Sequence, residues 1–199
     1  MQIGIIGLGR MGGNICRRLM KAGHHCVVFD SNTKPREALA KEGATAVGSL
    51  EAVVKALGEK PHAVWVMLPA GQVTEETVER LGTLLAPDDI VIDGGNSFYK
   101  DDIRRAKKLA EKHIRYVDCG TSGGVWGIER GYCLMIGGPK EAVDHLDPIF
   151  AVLAPAWAIF RARPAARRPP RAPSAATFML GRPAPGISSK WCITASSTD

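Results

Sequence analysis

Apolar positions along this chain fall into two alternating patterns. Short unbroken runs read as strands, and stretches where apolar residues return every three or four positions read as helices. Ile3-Gly4-Ile5-Ile6 and Cys26-Val27-Val28-Phe29 are runs of the first kind. Between them Ile15, Leu19 and Met20 share one face of a helix over 14–22. A short helix over 35–41 and a brief strand, Thr45-Ala46-Val47, come next. Ser49 then has the side chain and position of an N-cap, with Ala52, Val53 and Leu57 on a common face behind it. Ala63-Val64-Trp65-Val66-Met67-Leu68 is continuously apolar, as a central parallel strand covered on both faces must be. The same logic predicts helices over 74–85, 101–112 and 140–153, and strands over 90–93, 114–119 and 132–136. A glycine-rich loop is predicted over 121–131. Strands alternating with helices at this spacing predict an α/β fold, a doubly wound parallel sheet of the Rossmann type.

The first two strands are joined through Gly7-Leu8-Gly9-Arg10-Met11-Gly12, and the second ends in Asp30. Strand, glycine turn, helix, strand and terminal acid are the parts of a dinucleotide-binding unit. Gly7 permits the tight turn, Gly9 lets the backbone approach a pyrophosphate, and Gly12 lets helix and strand pack closely. The helix N-terminus offers unpaired N–H groups to phosphate, and Asp30 stands where a carboxylate accepts ribose hydroxyls.

Ligands in such sheets bind outside the carboxyl ends of the strands. Three predicted loops at those ends combine small residues with polar groups: Leu68-Pro69-Ala70, Gly95-Asn96-Ser97 and Ser122-Gly123-Gly124. Asn96 offers both a donor and an acceptor. Taken singly, each of these loops reads as an ordinary turn; three on one edge weigh evenly between ordinary turns and a binding site. His24-His25 reads as a solvated turn, Lys107-Lys108 as an exposed helix face, and Lys34 and Arg36 as part of a solvated loop.

Charge narrows the partners. The formal net charge is +6, yet residues 1–155 hold 19 basic and 19 acidic residues, and 156–199 hold 7 basic residues against Asp199 alone. The folded part therefore offers no electrostatic case for nucleic acid. Five scattered cysteines, Cys16, Cys26, Cys119, Cys133 and Cys192, suit buried thiols in a reducing compartment better than disulfides or a metal site. No apolar run approaches membrane-spanning length. The first strand begins at the start of the chain, and the expectation is a cytoplasmic protein with no leader segment.

Together the blocks Asp93-Gly94-Gly95-Asn96-Ser97, Ser122-Gly123-Gly124-Val125-Trp126-Gly127 and Glu129-Arg130-Gly131-Tyr132, with the Gly7–Gly12 turn, resemble the decarboxylating 6-phosphogluconate dehydrogenases, in their shorter bacterial branch. The resemblance covers about residues 1–155. It implies that Leu68, Pro69 and Ala70 lie beside the cofactor, that Asn96 touches cofactor and substrate, and that Ser122, Gly123 and Gly124 hold the substrate. The implied reaction oxidises and decarboxylates 6-phosphogluconate to ribulose 5-phosphate without a metal. Asp30 followed by Ser31 and Asn32 favours NAD over NADP, since a carboxylate repels a 2′-phosphate. The alternatives are a β-hydroxyacid dehydrogenase of the 3-hydroxyisobutyrate type and a non-enzymatic nucleotide-binding module with a basic tail.

The resemblance stops near Pro155. The family's general base, a Lys, and general acid, a Glu, lie beyond the cofactor domain, and neither can be placed here. Residues 156–199 are rich in Arg and Pro, without apolar periodicity, and are expected to form an irregular tail. Read one base out of register, the codons of 157–166 can spell Gly-Asp-Ile-Pro-Arg-Thr-Pro-Gly-Arg. Those of 186–199 can likewise spell His-Phe-Val-Lys-Met-Val-His-Asn-Gly-Ile-Glu-Tyr-Gly, the family's catalytic segment. The expectation is a tail translated out of frame from about Ala156, in which Lys190 is not the catalytic lysine. The helical domain that completes the site and the family's homo-oligomer would then be absent, and the chain inactive alone.

Overall fold

A computed structural model describes residues 1–58 and 60–155, with the backbone of Trp191–Ile193. Eight strands form one sheet: β1 (Gln2–Ile6), β2 (His25–Phe29), β3 (Thr45–Ala46), β4 (Ala63–Val66), β5 (Ile90–Asp93), β6 (Arg115–Ser122), β7 (Cys133–Gly137) and β8 (Trp191–Ile193). Their spatial order is β3-β2-β1-β4-β5-β6-β7-β8. The helices are α1 (Arg10–Lys21), α2 (Thr33–Lys41), α3 (Leu50–Ala56), α4 (Gln72–Leu84), α5 (Tyr99–Ala110), α6 (Gly127–Arg130) and α7 (Lys140–Leu153).

Alternate residues of each central strand feed opposite cores. On one face Ile3, Ile5, Trp65, Ile90 and Ile92 pack with Ile15 and Leu19 of α1 and Leu146, Ile149 and Phe150 of α7. On the other, Val64, Val66 and Val91 pack with Val53, Val78, Leu81 and Leu109 of α3, α4 and α5. Ser49 caps α3 as expected, its hydroxyl accepting from the Ala52 N–H at 3.1 Å.

The six strands β1 to β6 are parallel, as predicted. Strand β7 departs from that expectation: it pairs antiparallel with β6, from Asp118 opposite Gly137 to Ser122 opposite Cys133. A parallel return needs a crossover of a dozen or more residues. The stretch between the two strands holds only a 3-10 turn, Gly124–Trp126, and the single-turn α6. The predicted glycine loop is thus largely helical, and β6 runs on to Ser122 where a strand ending at Cys119 was expected. Within the segment beyond 155, Trp191–Ile193 pairs antiparallel with β7. The rest of the predicted tail lies outside the described residues.

Strand order reverses between β1 and β4, with β2 and β3 to one side and β5 onward to the other. That switch point is where a doubly wound sheet opens a crevice.

Candidate functional site

The turn from β1 into α1 sits over this crevice. Its first glycine has φ of +88°, and a Cβ there would come within 2.4 Å of the Met67 carbonyl oxygen. A Cβ on Gly12 would lie 1.9 Å from the Gly7 carbonyl oxygen, so α1 meets β1 with no room for a side chain. Around Gly9 the situation is opposite: a Cβ would meet none of the described residues within 4 Å. Gly9 is also the N-cap of α1, and no side chain caps the first-turn amides of that helix. An exposed, uncapped, positively polarised helix start with open space in front of it is a cradle for an anion.

Asp30 closes the other side. One carboxylate oxygen accepts the Leu8 N–H at 2.6 Å and the second accepts the Asn32 N–H at 2.8 Å. The carboxylate therefore fixes the glycine turn, and each oxygen keeps acceptor capacity for a ribose hydroxyl. Asn32 caps α2 by accepting from the Lys34 N–H. Arg36 donates to the Val47 carbonyl and the Thr33 hydroxyl and lies over the Phe29 ring. Such an arrangement fits an anion at the Gly7–Gly12 turn and a hydroxyl donor at the Asp30 carboxylate.

The three other loops sit on the same edge. Pro69, Ala70, Asn96, Ser122, Gly123 and Gly124 are exposed, as are Gly9 and Arg10. Pro69 is fixed from behind, because the buried Thr74 hydroxyl donates to its carbonyl at 2.8 Å. Gly95 approaches the Leu68 carbonyl so closely that a Cβ would stand 3.0 Å from it. None of residues 68–70, 95–97 or 122–124 carries a group that titrates near neutrality. The edge can bind and orient a polar ligand, and proton transfer would need groups from elsewhere.

Beneath Asn96 lies a buried polar cluster that sequence reasoning missed. Asp93, at the end of β5, accepts from the Gly95 N–H at 2.9 Å and the Ser97 hydroxyl at 2.8 Å. It also accepts from Arg105 at 3.1 Å and the Tyr116 hydroxyl at 3.0 Å. Arg105 is 2 % exposed and pairs further with Glu75 of α4 at 2.8 Å. Asp102 takes up Tyr116 from the other side at 3.0 Å. Burial, reinforced by the charges of Asp118 and Asp93, pushes the Asp102 carboxyl up to about 6. Burial likewise raises the Tyr116 phenol, so it stays a donor. One cue was available: Asp102 and Arg105 are three apart and share a helix face. Nothing in the sequence says that this face turns inward.

The remaining candidates are spectators. Lys108 is exposed and pairs with Glu79 at 2.6 Å. His24 lies 3.3 Å from the N-terminal amine, and His25 opens β2. Cys16, Cys26 and Cys119 are buried, and burial raises the Cys119 thiol; the Cys192 side chain lies outside the described residues. Among the described residues no group of three His, Cys, Asp or Glu could hold a metal ion, and no helix is long and apolar enough to cross a membrane.

Comparison with known proteins extends the reading. The family model described as the NAD binding domain of 6-phosphogluconate dehydrogenase matches residues 2–161. A Haloferax volcanii NAD(+)-dependent, decarboxylating 6-phosphogluconate dehydrogenase is 43% identical over 154 residues, covering 77% of this chain and 50% of the relative. A Bacillus subtilis NADP(+)-dependent counterpart is 39% identical over 157 residues, covering 77% of this chain and 33% of the relative. The chain thus spans between a third and a half of the length of these relatives. Among solved structures, Plasmodium falciparum 6-phosphogluconate dehydrogenase superposes with a TM-score of 0.73 at 29% identity, covering 78% of this chain and 34% of that one. Mycobacterium tuberculosis 3-hydroxyisobutyrate dehydrogenase, at 24% identity and a TM-score of 0.70, covers 77% of this chain and 52% of that one and shares the fold.

Proposed function

The chain belongs to the 6-phosphogluconate dehydrogenase family through that family's NAD-binding domain, and from this premise we propose that it is the cofactor half of an enzyme of the pentose phosphate pathway. The reaction is the oxidation of 6-phosphogluconate at its C3 hydroxyl, with loss of carbon dioxide to give ribulose 5-phosphate. A nicotinamide dinucleotide supplies the electron acceptor. Gly7, Leu8, Gly9, Arg10, Met11 and Gly12 hold its pyrophosphate and Asp30 its ribose, while Leu68, Pro69, Ala70 and Asn96 line its nicotinamide end. Asn96, Ser122, Gly123 and Gly124 orient the substrate.

The observation that carries this reading is the open cradle at Gly9, braced by Asp30, on one edge with the Ser122-Gly123-Gly124 turn. NAD is the preferred cofactor and NADP the weaker one, because the Asp30 carboxylate faces the ribose side and Arg36 is engaged elsewhere. The general base and acid belong to a further, helical domain that also forms the family's homo-oligomer. Residues 1–155 are the cofactor domain, and 156–199 are out of frame, so the chain binds cofactor without turnover in the cytoplasm. The family match ending at residue 161 supports that boundary.

Titrating NADH, NADPH and 6-phosphogluconate into the full chain tests the binding half. Restoring the frame between Pro155 and Trp157 tests the rest. Turnover of 6-phosphogluconate by the restored chain is expected. Preference for 3-hydroxyisobutyrate, or no dinucleotide binding at all, would overturn the proposal.

A further inference from the structure

Arg18 stands on α1, about 12 Å along the helix axis from Arg10 and so well away from the pyrophosphate end. Its guanidinium donates to four backbone carbonyls. Nε reaches the Val152 oxygen at 2.7 Å, and Nη2 reaches that of Ala154 at 3.1 Å. Nη1 is shared between the oxygens of Ile128 at 3.1 Å and Glu129 at 3.4 Å. These carbonyls come from the C-terminal ends of α6 and α7, where helices leave acceptors unpaired and concentrate negative dipole. One planar fork of donors therefore closes two helix ends together.

What it closes is the far side of the substrate turn. The stretch from Gly123 to Gly131 is folded over the ring of Tyr132, which is fully buried. A Cβ on Gly127 would stand 2.0 Å from that ring, and one on Gly123 would stand 3.2 Å from it. The end of α7 crosses behind: the Tyr132 N–H donates to the Leu153 oxygen at 2.8 Å. A Cβ on Gly131 would lie 2.5 Å from the Pro155 nitrogen. The turn is thus clamped between an apolar ring on the inside and Arg18 on the outside.

Resting on the substrate assignment above, we infer that Arg18 is a positioning residue, which holds the Ser122-Gly123-Gly124 turn in its substrate-receiving shape from the body of the cofactor helix. Lysine cannot replace it, since one ammonium cannot reach carbonyls on both helix ends in the fork geometry.

The test uses the full chain, with Arg18→Ala and Arg18→Lys. Arg18→Ala is expected to speed amide exchange across 124–131 about tenfold or more while β1 and β4 stay protected. It should weaken 6-phosphogluconate binding by about tenfold and leave NADH affinity within about twofold, a split that general loss of structure would not produce. Arg18→Lys, which keeps charge and stem, should fall between. Unchanged exchange over 124–131 in Arg18→Ala, or in Arg18→Lys should the alanine variant not fold, would overturn the inference. If the unaltered chain binds NADH and not 6-phosphogluconate, the substrate assignment fails while the exchange result still decides the role of Arg18.

Discussion

Two glycine turns face the same edge of the sheet and are held in different ways. The turn over Gly7 to Gly12 is fixed by backbone crowding between neighbours in one βαβ unit and by one carboxylate, Asp30. The turn over Gly123 to Gly131 is fixed by a ring beneath it and by an arginine more than a hundred residues earlier in the chain. The first needs only its own glycines and one local acid. The second needs α1, α6 and α7 to be in place before it has a shape. A local device tolerates little change anywhere within it, and a distributed one is vulnerable wherever its supports can be reached.

The sharpest contrast comes from adding single methyl groups. At Gly12 the new carbon would stand 1.9 Å from a backbone oxygen that cannot move without shifting β1. Gly12→Ala should cost about 4 kcal/mol or more in urea unfolding, or prevent folding. At Gly127 the obstacle is the ring of Tyr132, a side chain that can itself be removed. Gly127→Ala should cost about 2–3 kcal/mol. Paired with Tyr132→Ala, it should cost about 1–2 kcal/mol less than the sum of the two single changes. Strict additivity would show that the ring does not support the second turn.

Gly9 sharpens the comparison from the other direction. Its Cβ would meet none of the described residues within 4 Å, so Gly9→Ala should cost no more than about 1 kcal/mol of stability, the scale of an N-cap change. NADH affinity should nevertheless drop about tenfold, because the space filled is the one proposed for the pyrophosphate. Unaltered NADH affinity in a folded Gly9→Ala chain would remove the pyrophosphate from this turn.

The same difference explains what the sequence could reveal. Strands β1, β2, β4 and β5 and the first turn were legible because each is specified within a few residues, by an apolar run or by glycine spacing. Ser49 was legible as a cap for the same reason. The reversal at β7 was not, since apolar runs look alike in parallel and antiparallel strands and only connection length separates them. Nothing in the sequence sets Arg18 and Arg105 apart from the solvated arginines that most amphipathic helices carry. Their roles depend on carbonyls and carboxylates brought in by distant elements, which no local pattern encodes. The loop carrying Asn96 is intermediate. Its residues were visible, while the cluster of Asp93, Arg105, Tyr116 and Asp102 beneath it was not.

That cluster gives the smallest expected effect and a sign that can be checked. The Asp102 carboxyl is raised from 3.8 to about 6, mainly by burial and then by the charges of Asp118 and Asp93. The folded chain therefore holds a proton on Asp102 over a range where the unfolded chain has released it. Stability contributed by this group falls as pH rises through that window and is lowest above it. The full shift would correspond to about 3 kcal/mol. Residual solvent screening reduces the expectation to about 1 kcal/mol. Asp102→Asn keeps a polar partner for the Tyr116 hydroxyl and removes the titration. Its melting temperature relative to the unaltered chain should rise between pH 4 and pH 6.5, leaving the variant more stable at neutral pH. Comparing the two chains in parallel melts cancels the titrating groups that are not coupled to Asp102. A difference that stayed flat across this range would place Asp102 in contact with solvent, and the Asn96 loop would then rest on Asp93 and Arg105 alone.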